Sequence, residues 1–387
     1  MAKQVNRTLY IGLGGTGHKV LLQVKKALIK NYGQMPPSVK MLCFDTDIPE
    51  LKSNKENISY INKNGVRVNE EFSFDNNEIV EIPIADPTQY LKMKYIQNWL
   101  SPSISHKITP SNNGASGVRA KGRFAFYMNY NKINNAINSA LANIQNTQVV
   151  RNIDYDFQGD PVIHLVFSPN GGTGAGTFMD VIMNIRNNNP TINISAWIIS
   201  PEFYKNFPNT HNVIPNAYAS LMEIDHMMGQ DTSDNQPWSN YDRNKPFTVN
   251  YQGSKTTAFD LGANDFINYI YFFDNLNANN QMILDVNDMY DKIGRILYFM
   301  GSGFGTKILS SYSNNDDYTV PSSDATNKKR RNYSTVGMSQ LILDKSYLRE
   351  LKTLRMCSKI LDTYYSENKV DTKDFDTLID ANEWRED

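Results

Sequence analysis

Twice in this chain a short apolar run ends in a glycine-rich loop that opens directly into a helical pattern, and this repetition restricts the fold more than any other feature. The first copy is Thr8–Ile11, then Gly12–Leu13–Gly14–Gly15–Thr16–Gly17, then a helix from Lys19 to Lys30 with apolar residues at Val20, Leu21, Val24, Leu28 and Ile29. The second is Pro161–Phe167, then Asn170–Gly171–Gly172–Thr173–Gly174–Ala175–Gly176–Thr177, then a helix through Met179, Val181, Ile182 and Ile185. Further apolar runs at Met41–Phe44, Ile192–Ile199 and Phe266–Phe273 alternate with a helical pattern near Ala217–Met228. Strands that alternate with helices predict an α/β fold with a doubly wound, mostly parallel sheet.

A glycine loop between a strand and a helix lets backbone N–H groups approach an anion without side-chain obstruction, and the helix N-terminus adds partial positive charge. Taken alone, Gly12–Gly17 also fits the dinucleotide fingerprint of an NAD-binding domain. The second loop lacks the Lys-Ser/Thr pair of a P-loop. Its small residues suit a backbone wrap around an oligophosphate, with the hydroxyls of Thr173 and Thr177 as extra donors.

The 387 residues suffice for one large α/β domain and a second unit. Lysine plus arginine, 39, nearly balances aspartate plus glutamate, 40, so overall charge pulls the chain toward neither nucleic acid nor an anionic membrane. Two distant cysteines, Cys43 and Cys357, form neither a disulfide framework nor a metal-ligand spacing, and a cytoplasmic setting is expected. No apolar run approaches membrane-spanning length, so no membrane insertion is expected.

Residues 53–111 are polar and rich in turn signals, consistent with loops, a short hairpin and a helix near Gln89–Leu100. One long helix is predicted from Val118 to Gln145, beginning after Gly114–Gly117, and Arg119 and Arg123 share a face that could reach a phosphate. A polar insertion spans Gln230–Lys255, and a helix follows over Asp285–Met300. The basic run Lys328–Arg331 reads as a solvated loop, Ser334–Leu343 as a strand and Lys345–Glu367 as a helix. Of the five histidines only His18 adjoins a glycine loop, and His164, inside an apolar strand, reads as a buried, satisfied histidine.

Gly171–Gly172–Thr173–Gly174–Ala175–Gly176 resembles the signature loop of the tubulin/FtsZ superfamily, with Asn170 where that family has its first glycine. The overall style is most similar to divergent bacterial tubulin-like proteins. The resemblance implies a GTP-binding domain over 1–283, a central helix over 284–300, and a partial or reduced C-terminal activation-type unit over 301–387, which is shorter than a full second domain of the family. It implies that Gly12, Gly14, Gly15, Thr16 and Gly17 form the first phosphate loop, that Asp45 and Asp47 form the acidic loop after strand two, and that Gly114, Ala115 and Gly117 lie near the terminal phosphate. Glu202, in Ser200–Pro201–Glu202, falls at the ribose-side loop; Asn275 and Asn287 fall where the family contacts the guanine base, with Ile283 in place of the aromatic that precedes the latter. Asp45 and Asp47 are the candidates to orient magnesium, through water.

The same resemblance implies GTP and GDP as ligands, head-to-tail association with further copies of the chain, and hydrolysis only on assembly, with low GTPase activity in a monomer. The acids that would act in trans are Asp316 and Asp317, in Asn314–Asn315–Asp316–Asp317. Two alternatives stand beside it. One is a Rossmann-type oxidoreductase holding NAD on Gly12–Gly17, which leaves the second loop without a role. The other is a scaffold that keeps the fold and does not hydrolyse nucleotide.

Overall fold

The computed structural model describes residues 3–62, 64–146, 155–205, 211–228, 247–251, 257–259, 266–277, 279–305, 333–337 and 345–365. By internal contacts the chain divides into two units, Met1–Gly337 and Met338–Asp387. Within the second unit a single helix, Lys345–Tyr365, is described.

The first unit is built on seven strands in the order β11-β10-β7-β6-β1-β2-β5. They are β1 (Lys3–Leu13), β2 (Val39–Asp45), β5 (Ile79–Glu81), β6 (Tyr155–Phe167), β7 (Asn193–Ile199), β10 (Tyr269–Phe273) and β11 (Tyr333–Ser334). Every adjacent pair is parallel. The sheet is therefore the mostly parallel one expected. A parallel sheet covered on both faces demands strands apolar on both sides, and β1 obeys: Leu9, Tyr10, Ile11 and Leu13 are all buried.

The period of two along β1 divides its contacts between two helical layers. Leu9, Ile11 and Leu13 join a core with residues of α5 (Arg119–Met128), α6 (Tyr130–Asn146), α7 (Thr173–Asn188) and α8 (Val213–Met228). Tyr10 instead donates its hydroxyl, at 2.6 Å, to Leu297 O of α9 (Val286–Gly301). Helix α9 packs on α1 (Gly14–Tyr32).

Two antiparallel pairs complete the described strands: the hairpin β3 (Glu56–Ile61) with β4 (Arg67–Phe72), in the polar region where a short one was expected, and β8 (Phe247–Val249) with β9 (Thr257–Phe259). The helix expected near Gln89–Leu100 is instead a 3-10 turn, Tyr90–Lys92, and the short α3 (Lys94–Gln97). The single helix expected over Val118–Gln145 breaks at Asn129, whose side-chain amide donates to Pro83 O and to Ala125 O, each at 2.9 Å. Competition of this kind with the helical ladder is what places asparagine at helix ends. Of Ser334–Leu343, only Ser334 is in a strand and residues 335–337 are irregular; the rest lies outside the described residues, as do Lys328–Arg331 and most of Gln230–Lys255. Among the described residues no helix is long and apolar enough to cross a membrane.

His164 on β6 is fully buried, stacks on Tyr10 at 5.4 Å, and accepts a hydrogen bond from Trp197 Nε1 at 3.2 Å through Nδ1. Its Nε2 has no partner among the described residues, so the ring is buried as expected but hydrogen-bonded on one side only. Burial disfavours the imidazolium and lowers its pKa from 6.5 to about 3. The unfolded chain therefore takes up this proton first as the pH falls, and stability is lost from pH 6.5 downward until the folded-state value is reached. Replacing His164 by glutamine is expected to flatten the pH dependence of chemical unfolding between those limits. A slope unchanged from wild type would show that His164 does not carry it.

Candidate functional site

The strand order reverses between β1 and β6, and in open α/β sheets ligands bind outside the carboxyl ends of the strands at such a point. Both glycine loops fall there. Strand β1 ends at Leu13 and α1 begins at Gly14, whose φ of +68° is one that glycine adopts without strain. Strand β6 ends at Phe167 and α7 begins at Thr173. Neither helix has a side-chain cap hydrogen bond, so their first-turn N–H groups are directed to whatever enters between them.

That space is a cleft of about 280 Å³. The first loop contributes Leu13, Gly14, Gly15 and Thr16, and the second Asn170, Gly171, Gly172, Thr173 and Gly174. Asp45, Asp47 and Glu50 supply an acidic side, Gly114 closes it beside Asp47, and Lys19, Ser168, Tyr204 and Tyr290 complete the wall.

The acidic loop is ordered by its own hydrogen bonds. Asp47 caps α2 (Ile48–Ser53) by accepting from Glu50 N at 3.0 Å, and its own N–H donates to Asp45 Oδ1 at 3.1 Å. Asp45 is 2% exposed; its Oδ2 lies 3.2 Å from His18 Nε2, and His18 Nδ1 contacts the Asn54 amide. His18 is thus a buried partner of the acid. Thr46 and Thr173 join hydroxyls at 2.6 Å across the two loops, and Gly114 N donates to Thr46 O at 3.1 Å. A second hydroxyl chain runs from Thr16 to Tyr204, 2.7 Å, and from Tyr204 to Tyr290, 3.0 Å. Burial raises the pKa of both tyrosines, so each remains a neutral donor and acceptor.

Several residues of the motifs stand outside the cleft wall and hold it up. A Cβ on Gly12 would lie 2.7 Å from the Gly17 carbonyl carbon, so the pair permits backbone contact between β1 and α1. Ala115 is buried against Gly172, Gly117 O accepts from Asn216 Nδ2 at 2.8 Å, and Ala175 and Gly176 face a different cavity. Asn170 is not among the residues with positive φ, so its replacement of a glycine imposes no backbone strain. Glu202 pairs with Lys205, Asn275 is half-buried beyond β10, and Asn287 is exposed in the first turn of α9; none of the three lines the cleft.

Two sequence readings are corrected, that of Thr177 and that of the Arg119–Arg123 face. Thr177 is buried and returns its hydroxyl to Thr173 O at 2.8 Å, the usual back-bond of a helical threonine, so it is no donor to a ligand. Arg119 bonds Glu223 and donates Nε to Ala175 O at 3.2 Å; Arg123 donates Nε to Asp180 Oδ2 at 3.0 Å. Both arginines line a separate cavity of about 240 Å³ with Trp99 and Met179, because packing of α5 against α7 turns their face away from the phosphate loops. Asp316 and Asp317 lie outside the described residues.

Sequence reasoning passed over Lys19, Glu50, Ser168, Tyr204 and Tyr290. Lys19 and Glu50 were findable, since each lies a few residues beyond a singled-out loop, and Tyr290 lies one turn past Asn287 on the same helix. Tyr204, two residues beyond Glu202, carried the same kind of signal.

A parallel sheet with two uncapped helix N-termini over one cleft at its switch point defines a doubly wound α/β protein with a cleft suited to an anion. A family model described as "Tubulin like" matches residues 9–362, and the chain belongs to that family. Among solved structures it is similar to CetZ from Methanosaeta thermophila strain DSM 6194, at 14% identity and a TM-score of 0.41 over 83% of this chain and 56% of that one. It is similar to CetZ2 from Haloferax volcanii, described as a GTPgS-bound protofilament, at 12% and 0.42 over 79% and 62%. TubZ of Clostridium botulinum phage c-st matches at 11% and 0.38 over 76% and 59%. The chain thus spans less than two thirds of each of these structures. No curated protein matches it by sequence.

Proposed function

We propose that this protein binds a guanine nucleotide, GTP or GDP, by its phosphates in the cleft between the two glycine loops, and associates head to tail with further copies of itself. The observation that carries the reading is the convergence of two uncapped helix N-termini, α1 and α7, on one cleft. An NAD-type site uses one such loop; here the second opens on the same space, which favours an oligophosphate over a dinucleotide. Guanine is the base that membership of the family favours.

The donor set fits magnesium carried in by phosphate rather than held by a protein cage. Among the described residues no group of three or more His, Cys, Asp or Glu side chains converges to hold an ion, whereas Asp45, Asp47 and Glu50 line the same cleft. Magnesium keeps much of its water and is bound by one or two carboxylates together with phosphate oxygens. It would neutralise phosphate charge; the chain's residues would orient its water shell. Hydrolysis on assembly, with Asp316 and Asp317 supplied by a neighbouring copy, and the division into 1–283, 284–300 and 301–387 belong to the same proposal.

The purified protein, denatured to release its ligand, is expected to yield GDP or GTP by mass and absorbance, and to sediment on addition of GTP. Protein that is free of nucleotide and takes up neither GTP nor GDP would end this reading. Uptake without sedimentation would end only the self-association.

A further inference from the structure

The cleft is poorly matched in charge to the ligand its backbone suits. Asp45, Asp47 and Glu50 line it, and among the described residues Lys19 is the one basic side chain of its wall. The Lys19 ammonium is held 2.8 Å from Glu50 Oε1, and the two side chains are comparably open to solvent, at 39% and 40%. Burial works against the charged form of Lys19, but the hydrogen bond and charge of Glu50 outweigh it and raise its pKa. The pair links α1, one turn beyond the first glycine loop, to α2 behind the acidic loop. Its half-open position makes it weak: exposed pairs contribute little to stability and reorganise readily.

We propose, resting on the nucleotide reading above, that Lys19 is the phosphate-binding cation of this cleft and that Glu50 holds it in reserve. When an oligophosphate enters, the Lys19 ammonium exchanges the Glu50 carboxylate for a phosphate oxygen. Lysine serves such sites as a mobile point charge on a flexible stem, and this one is anchored where α1 meets the loop. The exchange makes entry selective for charge. A ligand without phosphate leaves the pair closed and gains nothing from Lys19. Glu50 acts as a competitor in this scheme, so the two residues have opposite effects on affinity. A salt bridge that merely braced the loops would show the same sign from either end.

That difference in sign is the test. GDP and guanosine are titrated calorimetrically, in EDTA so that no divalent ion reports through Glu50, into the full chain and its Lys19→Met and Glu50→Gln variants. Lys19→Met is expected to weaken GDP roughly tenfold to hundredfold, the worth of a charge-assisted hydrogen bond, and to leave guanosine unchanged. Glu50→Gln is expected to tighten GDP several-fold. Thermal melts without nucleotide should differ little among the three, which separates loss of binding from loss of fold. If both variants weaken GDP, or if Lys19→Met leaves it unchanged while wild type binds, the exchange is overturned and the nucleotide reading stands. If wild type binds no GDP either in EDTA or with magnesium, the reading falls and takes the exchange with it.

Discussion

Replacing Gly171 by glutamate is expected to weaken nucleotide binding at least a hundredfold, about 2.8 kcal/mol, while leaving the melting temperature close to that of wild type. The two halves of this expectation come from the same position. Gly171 lines the cleft, and a Cβ built on it meets no atom within 4 Å, so a side chain enters without displacing the fold. A carboxylate there faces the phosphates, and like charges about 4 Å apart repel by roughly 4 kcal/mol at the effective dielectric of a protein surface. Gly171→Ala, which adds bulk without charge, should change affinity by only a few-fold. The neighbouring Gly172 is the contrasting case, since its Cβ would lie 2.7 Å from that of Ala115 and substitution there disturbs the loop itself. Equilibrium titration with GTP and a thermal melt read both halves. Unimpaired binding by Gly171→Glu would place the phosphates elsewhere.

The largest effect on stability is expected at Asp180. This carboxylate is 1% exposed on α7, accepts from Arg123 Nε at 3.0 Å and Nη2 at 3.4 Å, and accepts from the buried Tyr251 hydroxyl at 2.8 Å. Arg123 in turn stacks on Trp99 and Tyr127, 4.8 and 5.7 Å from the ring centres. Asp180→Ala takes this acceptor from both the guanidinium and the phenol; breaking a fully buried pair from one side costs about 3–5 kcal/mol, and with the Arg123 side chain 35% exposed the loss should fall near the lower end of that range. Urea unfolding should show that loss in the midpoint. The double change Arg123→Met with Asp180→Leu should recover part of it, because an apolar pair of similar size removes both charges while the Tyr251 hydroxyl still loses the Asp180 acceptor. Arg123→Met alone should lower stability and leave nucleotide affinity intact at temperatures where the protein is folded. Tenfold weaker binding without destabilisation would return Arg123 to the phosphate site.

The glycine loops, the acidic loop and the parallel sheet were legible because each is written in adjacent residues. A strand of four or more apolar residues, a run of glycines and a helical period leave the backbone few alternatives. The buried state of His164 was legible for the same reason, as a histidine flanked by apolar residues on a two-sided strand. Arg119 and Arg123 were misleading because their spacing identifies a shared helix face but not what that face meets. The contact of α5 with α7 turned it to Asp180, Glu223 and Trp99. Helix α9 posed the same difficulty, since Asn287 stands exposed while Tyr290, three residues on, is buried in the cleft wall.

By itself, then, the sequence determined that this chain folds into a parallel α/β sheet and carries two loops suited to phosphate, since both follow from short-range backbone preferences and strand–helix alternation. Only the tertiary structure decided which side chains share the cleft with those loops. Lys19, Glu50, Tyr204 and Tyr290 come together from four separate elements, and the rotation of each helix about its axis is set by packing against the others, a long-range condition that no local pattern encodes.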